Sequence, residues 1–408
     1  MQNVMNEIDY LLIYPKIDEH SGDQYIPLSI MKVGARYEAE GYNVEYWDER
    51  CDSYYTLIEL AGKAKHVMFS SMEGTQWEHC ELLMGYLREK LGIMNFYVGG
   101  YKAINKGKEK LESFYYKSLS YDVHFINERF DMQDPVTEKT KRFYKIFKPL
   151  LFTSFGCNNK CRFCTVNGKW TPVPVNRVIK EIWTIKNAGH DFVSIGDPNF
   201  KWDKRIGEEL KSCKMKWHCN MDVNKINYKT IKEMSDCGCV SIEIGLETTS
   251  ERLRELLNCK FKSTVLNYFK LEFVFKKFPN VSPMFSFMVG LPTETREDLL
   301  DLMTFIDITK SWIPQARFSM YTYASYPSEL QRMFPEHVNF DIAKHSLYWL
   351  CGLKFRKDNI RKNFRGLKRL LSLPFELWAN VGWKFRIFRF PKKYFEYVLQ
   401  LVKRSYKK

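Results

Sequence analysis

Short apolar runs alternate with helically spaced stretches along most of the chain. Residues 10–14 (YLLIY) form an apolar run, and 28–40 carry apolar positions at helical spacing that stop at Gly41. Residues 44–47, 66–70 and 95–98 are again strand-like, 77–90 is helical, and 123–126 is a weaker final strand. Strands separated by helical stretches of this length predict a parallel, doubly wound sheet over 1–130. Residues 131–148 are polar, charged and contain Pro135, the pattern of a linker. A second alternation begins at Pro149. Its strand-like segments are 151–154, 192–195, 215–221, 240–246, 283–289 and 316–321, with a helix at 175–187 and further helical stretches between the others. Six such strands predict a partial (β/α)6 barrel over 149–335, short of a closed eight. The α/β architecture ends in a basic, mainly helical C-terminal extension over 336–408.

Composition changes this picture in two places. With 45% hydrophobic and 27% charged residues the chain reads as globular, and no uncharged apolar run approaches the length of a spanning helix. Residues 1–10 carry acids and no apolar stretch, so no secretion signal is expected. The eleven cysteines then point to a reducing, cytoplasmic setting rather than a disulfide framework.

The second place is the tail. Of a net charge of +15, residues 354–408 hold nearly all, with 17 Lys/Arg against 3 Asp/Glu. Trp378, Trp383, Phe385, Phe388, Phe390, Tyr394, Phe395 and Tyr397 are interleaved with those charges. Such a mixture suits peripheral membrane contact or a lipidic substrate, and less well nucleic acid. Leu367, Leu370, Leu371 and Leu373 also fit a packed helix whose basic face is merely solvated.

The chemistry concentrates directly after the first barrel strand, where the chain reads Cys157-Asn-Asn-Lys-Cys161-Arg-Phe163-Cys164. Three thiolates on one loop can hold three corners of a cubane iron–sulfur cluster and leave the fourth iron open for chemistry. A structural zinc site would need a fourth ligand at paired spacing, and His190 and His218 are too distant in sequence to complete one. Cys51, Cys80, Cys213, Cys219, Cys237, Cys239, Cys259 and Cys351 read as lone buried thiols rather than a second cluster.

This loop, with an aromatic before its third cysteine, resembles the signature of the radical S-adenosylmethionine (SAM) superfamily. Four later segments resemble that family's strand ends in order: SIGDPNF at 194–200, SIEIGLE at 241–247, FMVGLPTET at 287–295 and YASYPSEL at 323–330. The resemblance implies a [4Fe-4S] cluster on Cys157, Cys161 and Cys164, with SAM contacts from Phe163, Gly196, Asp197, Asn199, Glu243, Glu247, Val289 and Gly290. Asp197 stands where the family more often has a glycine-glycine-acid triplet, and Glu243 could instead pair with a lysine. The family cleaves SAM to a 5′-deoxyadenosyl radical, using an electron from a carrier such as flavodoxin or ferredoxin.

The whole chain looks like the branch with an N-terminal, Rossmann-like cobalamin-binding domain. Its relatives include the anaerobic magnesium-protoporphyrin ester cyclase and hopanoid methylase types. Ligands of such sheets lie outside the carboxyl ends of the strands, here marked by Ser70, Ser71, Gly99 and Gly100. No Asp-x-His-x-x-Gly loop occurs, so cobalamin would be held without a histidine ligand. The relatives' Gly-Glu-Gly-Glu segment is replaced by Phe125-Ile126-Asn127-Glu128-Arg129. The implied reaction is methylation of an unactivated carbon in a small hydrophobic or lipid-linked substrate. Alternatives are cobalamin-independent cyclisation or coupling, RNA modification, and a non-enzymatic, metal-bearing nucleic-acid-binding protein.

Overall fold

Residues 7–16, 24–71, 75–99, 122–125, 134–166, 169–259, 265–323 and 328–335 are described in a computed structural model of the chain. The N-terminal alternation becomes β1 (Ile8–Tyr14), α1 (Leu28–Ala39), β2 (Val44–Asp48), α2 (Tyr54–Lys63), β3 (Ala64–Ser70), α3 (Thr75–Leu91), β4 (Asn95–Gly99) and β5 (Asp122–Phe125). These strands are parallel in the order β2-β1-β3-β4-β5. Because side chains alternate across a strand, Leu11, Ile13, Trp47, Val67, Phe69, Phe96 and Val98 share one face, and Leu57, Leu83, Met84 and Leu87 of α2 and α3 cover it. Each fully buried side chain of this size contributes about 1.5–3 kcal/mol.

Helix α2 was not expected from the pattern. Its buried stripe is only Leu57 and Ala61, while Tyr54 and Tyr55 are exposed, so its apolar period is too short to stand out. The Ser53 side chain starts it by accepting the Thr56 N–H at 3.1 Å.

The stretch read as a linker is folded. It carries α4 (Lys141–Ile146), with Phe143 and Tyr144 fully buried. Lys139 reaches Glu45 at 2.7 Å and Arg142 reaches Asp52 at 2.6 Å, so its charges hold it to the first sheet instead of solvating it.

Further along come β6 (Leu150–Leu151), β7 (Ser154–Phe155), β8 (Thr171–Pro172), α5 (Val175–Asn187), β9 (Phe192–Ile195), α6 (Lys204–Ser212), β10 (Lys216–Asn220), α7 (Tyr228–Asp236), β11 (Cys239–Glu247), α8 (Glu251–Leu257), α9 (Val265–Lys277), β12 (Ser282–Val289), α10 (Arg296–Trp312), β13 (Arg317–Thr322) and α11 (Glu329–Met333). Six of these strands form one sheet in the order β13-β12-β11-β10-β9-β6. The strand expected over 151–154 is split. Its first part stays in the sheet as β6, and Ser154–Phe155 leaves to pair with β8.

Two compact units result. One comprises Met1–Thr153, Pro172–Ser194 and Ser212–Met215, and the other Ser154–Thr171, Ile195–Lys211 and the chain from Lys216. In the first, Glu181 of α5 is buried and accepts the Tyr144 O–H at 2.8 Å. Among the described residues, no helix is long and apolar enough to cross a membrane.

Candidate active site

The β7–β8 ribbon brackets the cysteine loop. Gly156 starts it at φ 70°, a left-handed conformation that costs glycine little. The loop is clamped from outside: Arg162 N–H donates to Leu257 O at 2.9 Å, and Leu330 N–H donates to Arg162 O at 2.8 Å. Arg162 Nε also donates to Glu329 at 2.9 Å, and Asn258 Nδ2 donates to Lys160 O at 2.7 Å. Phe163 packs against the buried cluster of Leu253, Leu257, Leu291, Tyr323 and Leu330.

Cys157 and Cys161 are half-buried and Cys164 is exposed. Their sulfurs attract N–H donors: Asn159 N–H and Asn199 Nδ2 on Cys157 at 3.4 and 3.8 Å, and Val166 N–H on Cys164 at 3.4 Å. Burial pushes the Cys164 thiol up, and the neighbouring Cys161 and Cys157 add to that. N–H donors on the sulfurs of Cys157 and Cys164 suit electron-rich thiolates of the kind that ligate an iron–sulfur cluster. Among the described residues no three His, Cys, Asp or Glu side chains are gathered for a single ion. Cys259, one of the cysteines read as lone, has its side chain hydrogen-bonded to Cys161.

The strand-end residues fall into three groups. Asn199 is buried and bridges the loop to the end of β10, its Nδ2 on Cys157 and its Oδ1 accepting Asp222 N–H at 3.3 Å. Asp197 is fully buried and accepts Ser154 Oγ at 2.6 Å, which explains why residue 154 leaves the first strand. Gly196 beside it is half-buried.

The second group is on β11. Glu243 accepts hydroxyls, from Ser286 and from Tyr321 at 3.3 Å, so hydroxyl partners stand where a lysine pairing was the alternative. Glu247 is a non-glycine residue at φ 61°, next to a register shift against β12. Such a conformation costs of order 1 kcal/mol and typically marks a functional position. Gly245 makes it possible, since a Cβ there would stand 2.4 Å from Glu247 Oε1. Burial raises the Glu247 carboxyl to about 8, with Cys161 and Glu243 adding to the rise.

The third group is the turn after β12, where Gly290 (φ 76°) and Thr293 (φ 65°) are left-handed and Gly290 N–H donates to Glu294 at 2.7 Å. The Val289 side chain is buried in the core and its carbonyl accepts Tyr323 N–H at 2.8 Å.

Sequence reasoning missed the polar residues on the Glu243 face of the sheet. His218, Ser241, Ser282, Ser286, Arg317 and Tyr321 occupy alternate strand positions, and Arg317 Nε donates to Ser282 at 3.2 Å. Burial lowers the His218 pKa. Their signal was the polar residue at every second position, which the strand assignments used only for periodicity.

In the first unit, Ser70 Oγ donates to Ser29 Oγ at 2.7 Å, and buried Ser71 N–H donates to Gly99 O at 3.0 Å. They stand at the carboxyl ends of β3 and β4. In a 2-1-3-4-5 sheet the topological switch lies between β1 and β3, where ligands bind. Gly100, residues 126–129 and 324–327, and the extension 336–408 lie outside the described residues.

Residues 151–306 match the family model of the radical SAM superfamily. Among curated proteins it is 28% identical over 184 residues to an uncharacterized methyltransferase of Pyrococcus horikoshii, covering 42% of this chain and 39% of that one. It is 24% identical over 172 residues to a tRNA-2-methylthio-N(6)-dimethylallyladenosine synthase of Syntrophomonas wolfei, covering 38% of each. The chain thus spans about two fifths of these relatives' length. In fold it is similar to the radical SAM methyltransferase TsrM from Kitasatospora setae, solved with cobalamin and a [4Fe-4S] cluster (TM-score 0.55, 12% identity, 77% of this chain and 75% of that one). It is also similar to the cobalamin-dependent SAM radical enzyme OxsB, solved with aqua-cobalamin and SAM (TM-score 0.58, 14% identity, 87% and 56%).

Proposed function

We propose that this radical SAM chain is a cobalamin-dependent methyltransferase acting on an unactivated carbon. The observation that carries the reading is the pairing, in one chain, of the three-cysteine loop with a parallel sheet of order 2-1-3-4-5. When bound, the cluster and SAM supply a hydrogen-abstracting radical, and cobalamin supplies the methyl group. Cys157, Cys161 and Cys164 would hold the cluster, and the first unit would hold cobalamin near Ser70, Ser71, Gly99 and Gly100.

This chain's residues then have distinct tasks. The N–H donors of Asn159 and Asn199 offset charge on Cys157 and orient it. Phe163 fixes the loop by packing, and Asp197 braces its base through Ser154. Glu243, held by Ser286 and Tyr321, is placed to accept hydroxyls of the SAM ribose. Glu247, whose carboxyl burial raises to about 8, favours its protonated form, in which it would donate a hydrogen bond without adding negative charge beside the thiolates. Gly196 and Gly290 leave space for the methionine and adenine portions, and buried Val289 contributes only its main chain. The polar Glu243 face adds a requirement to a small hydrophobic or lipid-linked substrate: the part that enters must offer hydrogen-bonding groups.

The test is the visible spectrum and metal content of protein purified anaerobically with cobalamin supplied and the cluster reconstituted. Four irons and about one corrin per chain are expected. Iron without corrin would overturn the cobalamin assignment and leave cyclisation or coupling. Zinc without iron would overturn the whole reading.

A further inference from the structure

The sheet face that carries Glu243 also carries a cation with no part in those tasks. Side chains alternate along β10 to β13, so His218, Ser241, Glu243, Ser282 and Arg317 share that face. The opposite face is closed by aromatic packing, with Phe285 of β12 against Phe275 of α9, Phe305 of α10 and Phe318 of β13. Arg317 stands in register with Met284 and, through it, with Glu243. All these residues belong to the second unit.

Arg317 opens an edge strand, where a long cation usually extends into water. Here it is laid back across the sheet. Its Nε donates to Ser282 Oγ of β12 at 3.2 Å, and its Nη2 donates past β12 to Ser241 Oγ of β11. Ser282 is fixed in turn by donating to Gln315 O at 2.7 Å. Among the described residues Arg317 is in no ion pair, although Glu243 stands in the same row and accepts Ser286 and Tyr321 instead. Pinning a guanidinium costs side-chain entropy that two bonds to neutral hydroxyls barely offset. An oxyanion on the unused N–H groups of the planar fork would supply the missing interaction. His218 is the register partner of Ser241 and is half-buried. Burial lowers its pKa, with Glu243 opposing and Arg317 adding to the fall. A neutral imidazole beside Ser241 can still donate an N–H to the same oxyanion.

We propose that Arg317, with Ser241, Ser282 and His218 around it, binds an oxyanion of the substrate, a carboxylate or a phosphate. The inference rests on the methyltransferase reading only in calling that ligand a substrate, and it narrows the hydrogen-bonding requirement to a negatively charged group. Two strand spacings, about 10 Å, separate Arg317 from Glu243 along the row. A small molecule anchored at Arg317 therefore extends toward the carboxylate assigned to the SAM ribose.

The test titrates the full chain with inorganic phosphate or with acetate at constant ionic strength. Histidine ring protons are followed by NMR, with the His218 signal assigned by its loss in H218Q. That signal should move saturably in the millimolar range and its pKa should rise, and the tighter of the two probes identifies the group. R317Q should weaken binding at least about tenfold, and S241A/S282A, which keeps the charge but frees the fork, about three- to tenfold. No movement up to about 50 mM of either anion, or equal movement in R317Q, would overturn the proposal. So would loss of SAM from reconstituted R317Q in equilibrium dialysis, which would assign the guanidinium to SAM's own carboxylate. Binding that depends on Arg317 in a chain that takes up neither iron nor corrin would uphold the oxyanion site and sink only the methyltransferase reading, which separates the two.

Discussion

Glu181 offers the sharpest test of how the first unit is held together. Its carboxyl is buried, accepts the Tyr144 O–H at 2.8 Å, and is raised from 4.5 to about 7. Burial is the main cause, opposed by the Tyr144 hydrogen bond and by Lys32. The native state therefore binds a proton more tightly than the unfolded chain. Between pH 4.5 and 7 it holds more protons, so stability must fall as pH rises through that window and level off above it. A shift of this size corresponds to about 3 kcal/mol.

Glu181→Gln keeps an acceptor for Tyr144 and removes the ionisation. The stability difference, variant minus wild type, should rise by about 3 kcal/mol from pH 4 to pH 8 and then stay flat. Other titrating groups cancel in the difference. A two-unit chain need not unfold in one step, so urea unfolding is best followed by hydrogen exchange in peptides spanning 141–146 and 175–187. A difference that is constant to about 0.5 kcal/mol over the window, or that falls with pH, would refute the argument.

Cys161→Ala should cost the reconstituted chain nearly all its iron, whereas Cys259→Ala should retain it, because only three thiolates are needed; equal losses by metal analysis would mean that Cys259 is a ligand. Asn199→Ala removes the side-chain N–H on Cys157 and should speed iron loss to a chelator about tenfold, with circular dichroism unchanged. Gly207→Ala would put a Cβ 2.0 Å from the Trp202 ring, which stacks on Trp217, and should destabilise by about 1–3 kcal/mol, read as a lower unfolding temperature.

How much was legible follows the range of the interactions. Residues 192–195 and 175–187 have the strand and helix read from their periodicity, because alternation and the 3.6-residue stripe are local signals. The helix over 141–146 was hidden because its two buried aromatics lie among charges that pair with residues about ninety positions away. The split at Ser154 was hidden for the same reason, since its cause is Asp197.

By itself, the sequence determined most of the order of strands and helices and the spacing of three thiolates on one loop. Both depend on neighbours along the chain, and neighbours fix local geometry. Only the tertiary structure decided which donors face Cys157, that Cys259 meets Cys161, and that Glu247 is left-handed over Gly245 with its carboxyl pKa raised by burial. Those properties arise from burial and from contacts between distant segments, which exist only once the sheet has assembled.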